Sequence, residues 1–316
     1  MKYSFVLPAY KARFFKEALD SILNQTYKDF ELIVVNDASP EALYSIVKNY
    51  KDSRIRYYVN ENNIGGKDLV AQWNHCLKYA NGEYIILASD DDVYSHLYLE
   101  KMDELVCKYP NVNVFRPRIQ EIDAKGVITC KYDYIKEYVN QIEYIYHWMR
   151  GSIGSGIGYF IFHKEALKNN GGFYELPLAW GSDDITVINM AKSGIVFSPH
   201  ILFSFRNSGL NITSKKNDVI TLRKKLEAYC IFENWWYDIV SDLVETCNRN
   251  NEFYGYIMNN KIKFIRSLVR TISSKSSWYA IMCNLKLFYS LQSVSYVWGT
   301  FWIVRMILSR CYHLIK

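Results

Sequence analysis

Several features that define other protein classes are missing from this chain of 316 residues. None of its seven cysteines form a C-x-x-C pair and their number is odd, so we interpret them as reduced, mostly buried thiols rather than as a disulfide framework. No charged and apolar signal segment precedes the first predicted strand, which begins at Tyr3. Both absences favour a cytoplasmic protein.

Acidic side chains are missing from the last part of the chain. Residues 253–316 hold nine Lys or Arg and no Asp or Glu, whereas residues 1–252 hold 29 basic and 32 acidic side chains, a net charge of −3. This distribution argues against nucleic-acid binding by the main domain and predicts that an anionic surface meets the tail.

The tail also lacks a long apolar run. Residues 287–304 carry no charge, but Ser, Gln and Thr interrupt them, so a membrane-spanning helix is not expected. A basic, aromatic helix favours peripheral contact with an anionic membrane surface at its inner face. A helical lid over the core and a dimer contact are the alternatives.

Three consecutive carboxylates end one of the most apolar stretches of the sequence. Residues 84–89 follow Asn81-Gly82 and predict a buried strand, after which come Asp90, Asp91 and Asp92. Two unit charges about 4 Å apart in a partly shielded site repel by about 4 kcal/mol, and a cation between them removes that cost. Oxygen ligands suit Mg²⁺ or Mn²⁺, so the pattern indicates a metal site, with an acidic capping turn as the alternative.

The first hundred residues alternate between strand and helix patterns. Strands are predicted at 3–7, 31–35, 55–59 and 84–89, with helices at 11–24, 41–50, 68–80 and 96–108. Pro8 is expected to end the first strand. Short β-α-β links predict a parallel sheet whose strand ends gather polar residues at one edge, where a nucleotide can lie.

Five sequence blocks resemble the family 2 glycosyltransferases in order and spacing. The blocks are Val6 to Tyr10, Ser21 to Tyr27, Glu31 to Ser39, Asn63 to Gly66 and Ala80 to Ile85. The resemblance covers roughly residues 1–215 and implies an α/β GT-A fold, a mostly parallel sheet flanked by helices. We therefore expect a catalytic domain at 1–215, divided into a nucleotide-binding half (1–110) and an acceptor half (111–215), and a helical extension at 216–316.

The resemblance also implies a donor, a metal and the residues that touch them. The donor is a nucleotide diphosphate sugar, with UDP favoured, and the metal is Mn²⁺ or Mg²⁺. Pro8, Ala9 and Tyr10 would line the base and ribose, and Asp37 would accept a hydrogen bond from the base. Gly65 would admit the donor or simply turn the chain. Asp90, Asp91 and Asp92 would correspond to the Asp-x-Asp region that touches ribose and metal.

An acidic pair, Asp183 and Asp184, opens a second helical run and matches the Glu-Asp pair of the family. The Asp of that pair removes the proton of the acceptor hydroxyl. Counting back from Gly194 favours Asp183 as this base, whereas matching the pair directly favours Asp184, and we prefer Asp183 slightly. First-turn helix capping is the alternative. Arg206 lies in a stretch that resembles the family's closing loop and would neutralise diphosphate charge.

Three positions depart from the family pattern. Ser89 stands where an acid is usual, Trp73 replaces an Arg and Asn207 replaces a His, so the metal ligands and a phosphate contact are left open. The aromatic-rich residues 132–150 are expected to be irregular, lining an acceptor pocket or packing in the core. Residues 151–158 are rich in glycine but lack the Lys-Ser/Thr ending of a P-loop, so phosphate binding is not expected there.

The sequence thus predicts an inverting transfer of sugar from a nucleotide diphosphate sugar to a glycan or lipid-linked acceptor hydroxyl in surface polysaccharide or lipopolysaccharide assembly. A nucleotidyltransferase is an alternative, but residues 9–13 lack the glycine-rich basic loop that it needs after the first strand. A binding protein that has lost catalysis is the other alternative. The sugar, the linkage and the oligomeric state are left open.

Overall fold

The computed structural model describes residues 1–209, 216–246, 251–294 and 299–300. The chain divides into two compact units, Met1–Ser214 and Lys215–Lys316. The first contains every residue that the sequence assigns to a site, and the second contains the basic tail.

The first unit alternates strands and helices through most of its length. Its strands are β1 (Tyr3–Ala9), β2 (Phe30–Asn36), β3 (Ile55–Val59), β4 (Tyr84–Leu87), β5 (Val93–Tyr94), β6 (Val114–Asp123), β7 (Ile128–Lys131), β8 (Tyr138–Val139), β9 (Ile161–His163) and β10 (Ile195–Asn207). Its helices are α1 (Phe15–Leu23), α2 (Leu43–Val47), α3 (Leu69–Leu77), α4 (Tyr98–Lys108), α5 (Gln141–Met149), α6 (Lys164–Asn169) and α7 (Ser182–Met190).

These strands join in one sheet with the order β3-β2-β1-β4-β9-β6-β10-β5, while β7 pairs with β6 and β8 with β10. Strands β1 to β4 run parallel, as predicted. Strand β9 is antiparallel to both β4 and β6, and β10 runs parallel to β6. The expected sheet flanked by helices is confirmed, and the antiparallel β9 at its middle is a feature that the pattern did not predict.

Helix α1 shows how the apolar pattern forms the core. Phe15, Leu19 and Ile22 recur at helical spacing on one face, and all three are fully buried. Burying side chains of this size contributes roughly 1.5–3 kcal/mol each. The same reasoning places Leu32 and Val34 of β2 in the core, because strands covered on both faces are apolar throughout.

Strand β1 does not end at Pro8, contrary to the prediction. It continues to Ala9, and Pro8 pairs with Val35 of β2. The backbone N–H and C=O groups of successive residues point to opposite neighbouring strands. Those of Val6 point toward β4, so the backbone of Pro8, two residues on, points toward β4 as well. The register between β1 and β4 ends at Val6 and Leu87. The missing N–H of Pro8 therefore costs no ladder hydrogen bond.

The expectation of an irregular stretch at 132–150 holds for 132–137, which form neither helix nor strand, but is wrong for 141–149. Residues 141–149 form α5, whose first turn is capped by Asn140, the side-chain acceptor for the Glu143 N–H at 3.0 Å. Tyr144 and Trp148 are buried on the inner face of this helix. Frequent Tyr residues masked a helical period that the burial pattern shows clearly.

The second unit is helical in its described part. Its helices are α8 (Val219–Thr246), α9 (Glu252–Ser274), α10 (Trp278–Cys283) and α11 (Leu285–Ser290). Ile265, Val269 and Ile272 of α9 recur at helical spacing and are buried, but Ile262 is 41% exposed. Among the described residues no helix has both the length and the apolarity that a membrane crossing needs. In the basic tail, residues 295–298 and 301–316, which include Trp298, Phe301 and Trp302, lie outside the described residues.

The prediction of mostly buried cysteines is wrong. Within the described ranges five thiols are free, and of these Cys76 is buried whereas Cys107, Cys130 and Cys283 are exposed.

Candidate active site at the carboxyl edge of the sheet

The three aspartates after β4 lie at the carboxyl edge of the parallel strands, but their oxygens serve different partners. Asp90 is half-buried, and its Oδ2 accepts hydrogen bonds from the backbone N–H groups of Tyr10 at 2.9 Å and Lys11 at 2.7 Å. Asp90 thereby ties the loop after β1 to the turn after β4. Burial raises the pKa of its carboxyl, although these backbone donors oppose the shift.

Asp92 is buried and both of its oxygens have partners within the protein. Oδ1 accepts from the backbone N–H of Arg206 at 2.8 Å, and Oδ2 lies 2.6 Å from the hydroxyl of Ser89. Burial, together with the nearby charge of Asp91, raises the pKa of Asp92 to about 7. The carboxyl thus joins the acidic turn to β10.

Asp91 is half-buried, and its Oδ1 accepts from Ser89 at 2.9 Å. Within the described chain its Oδ2 and the Oδ1 of Asp90 have no hydrogen-bond partner, and no three His, Cys, Asp or Glu side chains gather closely enough to hold a metal by themselves. Mg²⁺ ordinarily takes one or two protein carboxylates and completes its shell with phosphates and water. These two oxygens fit that requirement, and the role of Asp92 as a ligand stays a prediction.

Arg206, the cation expected to meet the diphosphate, is 1% exposed and engages protein groups. Its Nε donates to the carbonyl of Asp91 at 2.8 Å and its Nη2 lies 2.6 Å from Glu17 Oε1. The guanidinium also stacks over the ring of Phe14 at 4.4 Å. In this arrangement Arg206 holds the acidic turn through the carbonyl of Asp91. Its contact with a phosphate stays a prediction.

Asp37 follows β2 and organises the neighbouring turn. Its carboxylate accepts from Asn60 Nδ2 at 2.7 Å, from the N–H of Ile64 at 2.9 Å and from the N–H of Gly65 at 2.7 Å. A Cβ on Gly65 would lie 2.9 Å from Asp37 Oδ2, so glycine is needed for this close approach. The hydrogen bond from a base N–H to Asp37 stays a prediction, as does contact of Gly65 with the nucleotide-sugar donor.

The remaining predicted base-side residues adjoin Asp37. The carbonyl of Ala9 accepts the N–H of Asp37 at 3.0 Å, so the ends of β1 and β2 are locked together. Ala9 is fully buried and Pro8 is half-buried, whereas the side chain of Tyr10 is 40% exposed at the same edge. Of these three, Tyr10 has the surface that stacking on a base requires.

Asp183 and Asp184 lie in the first turn of α7. Gly181, the residue directly before this helix, has a positive φ of 90°. Trp148 Nε1 donates to Asp184 Oδ1 at 2.7 Å, and Ser155 Oγ lies 2.5 Å from the same oxygen and 3.4 Å from Asp183 Oδ2. Burial raises the pKa of both carboxyls. The pKa of Asp184 is raised further, because the charge of Asp183 adds to the effect of burial. A carboxyl held this way suits proton transfer near neutral pH.

Residues 151–158, the glycine-rich loop, pass close to both acidic clusters. Ser155 touches the pair on α7, and a Cβ on Gly158 would lie 3.4 Å from Asp92 Oδ2. Three residues of chain span at most about 11 Å, so the loop brings the two clusters into the same region of the first unit. The loop and Trp148 were not assigned to the site from the sequence. The glycine clustering was visible there, but nothing local connects it to acids on other elements.

A protein-family model identifies the family of this chain. The model of a family described as "Glycosyl transferase family 2" matches residues 4–171, more than half of the chain. This chain belongs to glycosyl transferase family 2. The resemblance found in the sequence is thereby confirmed.

Among curated relatives, the putative glycosyltransferase EpsE of Bacillus subtilis is 35% identical over 130 residues, which are 40% of this chain and 46% of EpsE. The chain spans less than half the length of the curated relatives that it matches. The family match at residues 4–171 lies within the first unit.

Two solved structures share the fold. TarS of S. aureus, solved in complex with UDP-GlcNAc, has a TM-score of 0.64 and 18% identity, and the match covers 92% of this chain and 78% of that chain. The mannosyltransferase PcManGT of Pyrobaculum calidifontis, in complex with GDP-Man and Mn²⁺, has a TM-score of 0.52 and 16% identity over 97% of this chain and 84% of that chain. The expected GT-A fold is confirmed.

The departures from the family 2 pattern have structural roles in this chain. The ring of Trp73 packs edge-on against Phe173 at 5.9 Å, so the position of the usual Arg is used for packing. The adjacent Asn74 accepts the N–H of Phe173 at 2.8 Å and donates to its carbonyl at 3.0 Å. Asn207 is exposed at the end of β10.

Proposed function

We propose that this protein transfers a sugar from a nucleotide diphosphate sugar to an acceptor hydroxyl, with inversion at the anomeric carbon. The observation that supports this most is the glycine-rich loop, which passes close to Asp92 at Gly158 and contacts the acid pair through Ser155. A donor-side cluster and a candidate base at one sheet edge are what a single displacement needs.

On the donor side, Tyr10 stacks on the base and Asp37 receives its N–H. UDP is the favoured nucleotide because TarS was solved with UDP-GlcNAc, and a divalent metal is favoured because PcManGT was solved with Mn²⁺. Asp91, with Asp90, would hold Mn²⁺ or Mg²⁺. When bound, the metal offsets the charge that the leaving diphosphate gains.

On the acceptor side, one carboxylate of the pair Asp183 and Asp184 takes the proton of the attacking hydroxyl. As the acceptor oxygen bonds to the anomeric carbon, the bond from that carbon to the phosphate oxygen breaks. Its electron pair leaves with the nucleoside diphosphate. Attack and departure on opposite faces invert the configuration in one step.

We further place this transfer in the assembly of a surface polysaccharide or lipopolysaccharide in the cytoplasm, on a glycan or lipid-linked acceptor at the inner membrane face. The described stretch 251–294 supports membrane contact, since it carries six Lys or Arg and one Asp or Glu. Trp278 and Tyr279 are exposed there, at 37% and 70%. Co-sedimentation of the full chain with anionic but not with neutral vesicles would test this contact.

The transfer is tested by incubating the purified protein with a panel of nucleotide sugars and Mn²⁺. Release of a nucleoside diphosphate supports the proposal. Release of pyrophosphate in a parallel reaction with a nucleoside triphosphate and a sugar phosphate would instead indicate a nucleotidyltransferase. Binding of a nucleotide sugar without turnover would indicate a binding protein. Proton NMR of a transferred product determines whether the anomeric configuration is inverted.

A further inference from the structure

The glycine-rich loop (151–158) is fixed from its inner side by buried side chains. Arg116 Nη2 donates to the carbonyl of Ile153 at 2.5 Å, and the hydroxyl of Tyr159 donates to the carbonyl of Gly154 at 3.2 Å. The hydroxyl of Tyr94 donates to the carbonyl of Gly158. Three backbone carbonyls of one short loop are thus held by three different side chains, which fixes the path of the loop.

Gly154 fixes the backbone conformation directly before Ser155. Its φ is +64°, and a Cβ there would lie 3.0 Å from Ile119 Cδ1 and 3.1 Å from the ring of Tyr132. Only glycine meets both the conformation and the space at this point. Ser155 follows directly and is an exposed residue, yet its hydroxyl lies on the acid pair.

A serine hydroxyl has one proton to donate. At 2.5 Å the contact from Ser155 Oγ to Asp184 Oδ1 is much closer than the 3.4 Å contact to Asp183 Oδ2. The indole N–H of Trp148 donates to the same oxygen of Asp184 at 2.7 Å. Asp184 is therefore anchored by two side-chain donors from outside its helix. The carboxylate of Asp183 instead meets backbone N–H groups of its own helix turn and, at a longer distance, the Ser155 hydroxyl.

We propose that Ser155 is a positioning residue that, together with Trp148, anchors Asp184 and leaves Asp183 as the carboxylate that takes the acceptor proton. This inference rests on the proposed transfer reaction. It gives the glycine-rich loop a role in catalysis that does not involve phosphate.

The electrostatic surroundings set the direction of the expected effect. The hydroxyl of Ser155 lowers the pKa of both carboxyls, against the upward shift that burial causes. Buried Tyr144 and Tyr159 face the pair, and the guanidinium of Arg116 lies beside Tyr159 at 4.7 Å from its ring. Since these groups stay in place, removal of the Ser155 hydroxyl raises the pKa of the pair further.

The test compares Ser155→Ala with Ser155→Thr, which keeps the hydroxyl. Ser152→Ala is the matched control, because that loop hydroxyl donates to the carbonyl of His147 at 3.0 Å instead of to the acids. The first readout needs no substrate. The ¹⁵N–¹H indole signal of Trp148, assigned by its loss in Trp148→Phe, is followed against pH and reports the ionisation of Asp184.

We expect Ser155→Ala to move the midpoint of this titration upward by about one pH unit, the effect of one lost hydrogen bond to a carboxylate. Ser155→Thr and Ser152→Ala should titrate like the wild type. An unchanged midpoint in Ser155→Ala, or an equal shift in Ser152→Ala, would overturn the proposal.

The second readout is steady-state transfer with the donor found in the panel. Ser155→Ala should lower kcat about tenfold and leave the donor KM unchanged. It should also move the acidic limb of the pH profile to higher pH, because the pair needs a higher pH to ionise without the Ser155 hydroxyl. Ser155→Thr should restore all three. If the wild type turns over no donor, the proposed transfer fails, and the indole titration still decides the role of Ser155.

Discussion

The two acidic clusters of this protein consist of the same residue type but are held in different ways. In the turn after β4, Asp90 accepts from two backbone N–H groups and Asp92 from the backbone of Arg206, so these carboxylates join strands. On α7, Asp184 is held by side chains, the indole of Trp148 and the hydroxyl of Ser155.

The comparison shows that each cluster combines anchoring carboxylates with one that keeps more freedom. In the turn the freer side chain is Asp91, whose only side-chain hydrogen-bond partner among the described residues is Ser89. In the pair it is Asp183, which meets backbone N–H groups of its own turn and has Ser155 only at 3.4 Å. The number of acids in each cluster therefore overestimates how many carboxylates can bind a ligand or take a proton. Most of them instead hold the neighbouring backbone and side chains in place.

The largest expected effect separates the members of the pair. Asp183→Asn should reduce kcat by about 10³-fold, within the range that loss of a general base produces. Asp184→Asn keeps an oxygen for Trp148 and Ser155, so it should lose only about tenfold. The measurement is steady-state transfer at pH 7.5 with exposed Asp133→Asn as the control. A larger loss in Asp184→Asn would assign the base to Asp184.

The next effect separates the members of the turn. Asp91→Asn should weaken Mn²⁺ binding in the presence of UDP by about tenfold or more, because it removes a charged oxygen ligand. Asp92→Asn should bind Mn²⁺ within a few-fold of the wild type, since both oxygens of Asp92 already have protein partners. Isothermal titration calorimetry measures both. Equal losses would place Asp92 in the metal shell as well.

The smallest effect concerns stability without metal. A carboxyl with a native pKa of about 7 binds its proton more tightly in the folded chain than in the unfolded chain, where the value is about 3.9. Stability in EDTA should therefore fall as the pH rises from about 4 to about 7, with Asp183 and Asp184 acting in the same direction.

Urea unfolding of Asp92→Asn across this pH range provides the comparison. The asparagine cannot ionise, so the dependence of the unfolding free energy on pH should become shallower, while Asp133→Asn should follow the wild type. A slope unchanged by Asp92→Asn would show that Asp92 ionises normally in the folded protein.

Local patterns in the sequence were sufficient for the first half of the sheet. The buried runs of β2 and β4 and the helical face of α1 each depend on residues a few positions apart, so periodicity found them. Helix α5 and strand β10 were missed. The first was hidden by frequent Tyr residues, and β10 pairs with β6, which lies some eighty residues earlier in the chain.

The candidate site shows the same division. The turn at 90–92 was found in the sequence because consecutive acids directly after a buried strand are recognisable. Asp37 and the pair at 183–184 were assigned through the resemblance to the family 2 glycosyltransferases. Ser155 and Trp148 were missed, since a serine among glycines and a tryptophan among tyrosines carry no signal until α7 is placed beside them.

The sequence by itself determined the family, the parallel half of the sheet and the edge at which the acids collect, because strand and helix periods and short motifs are local properties of the chain. Only the tertiary structure decided which carboxylate oxygens are engaged by the protein. The backbone donors to Asp90 and Asp92 lie 79 to 114 positions away, and hydrogen bonds form only where folding brings donor and acceptor within about 3 Å.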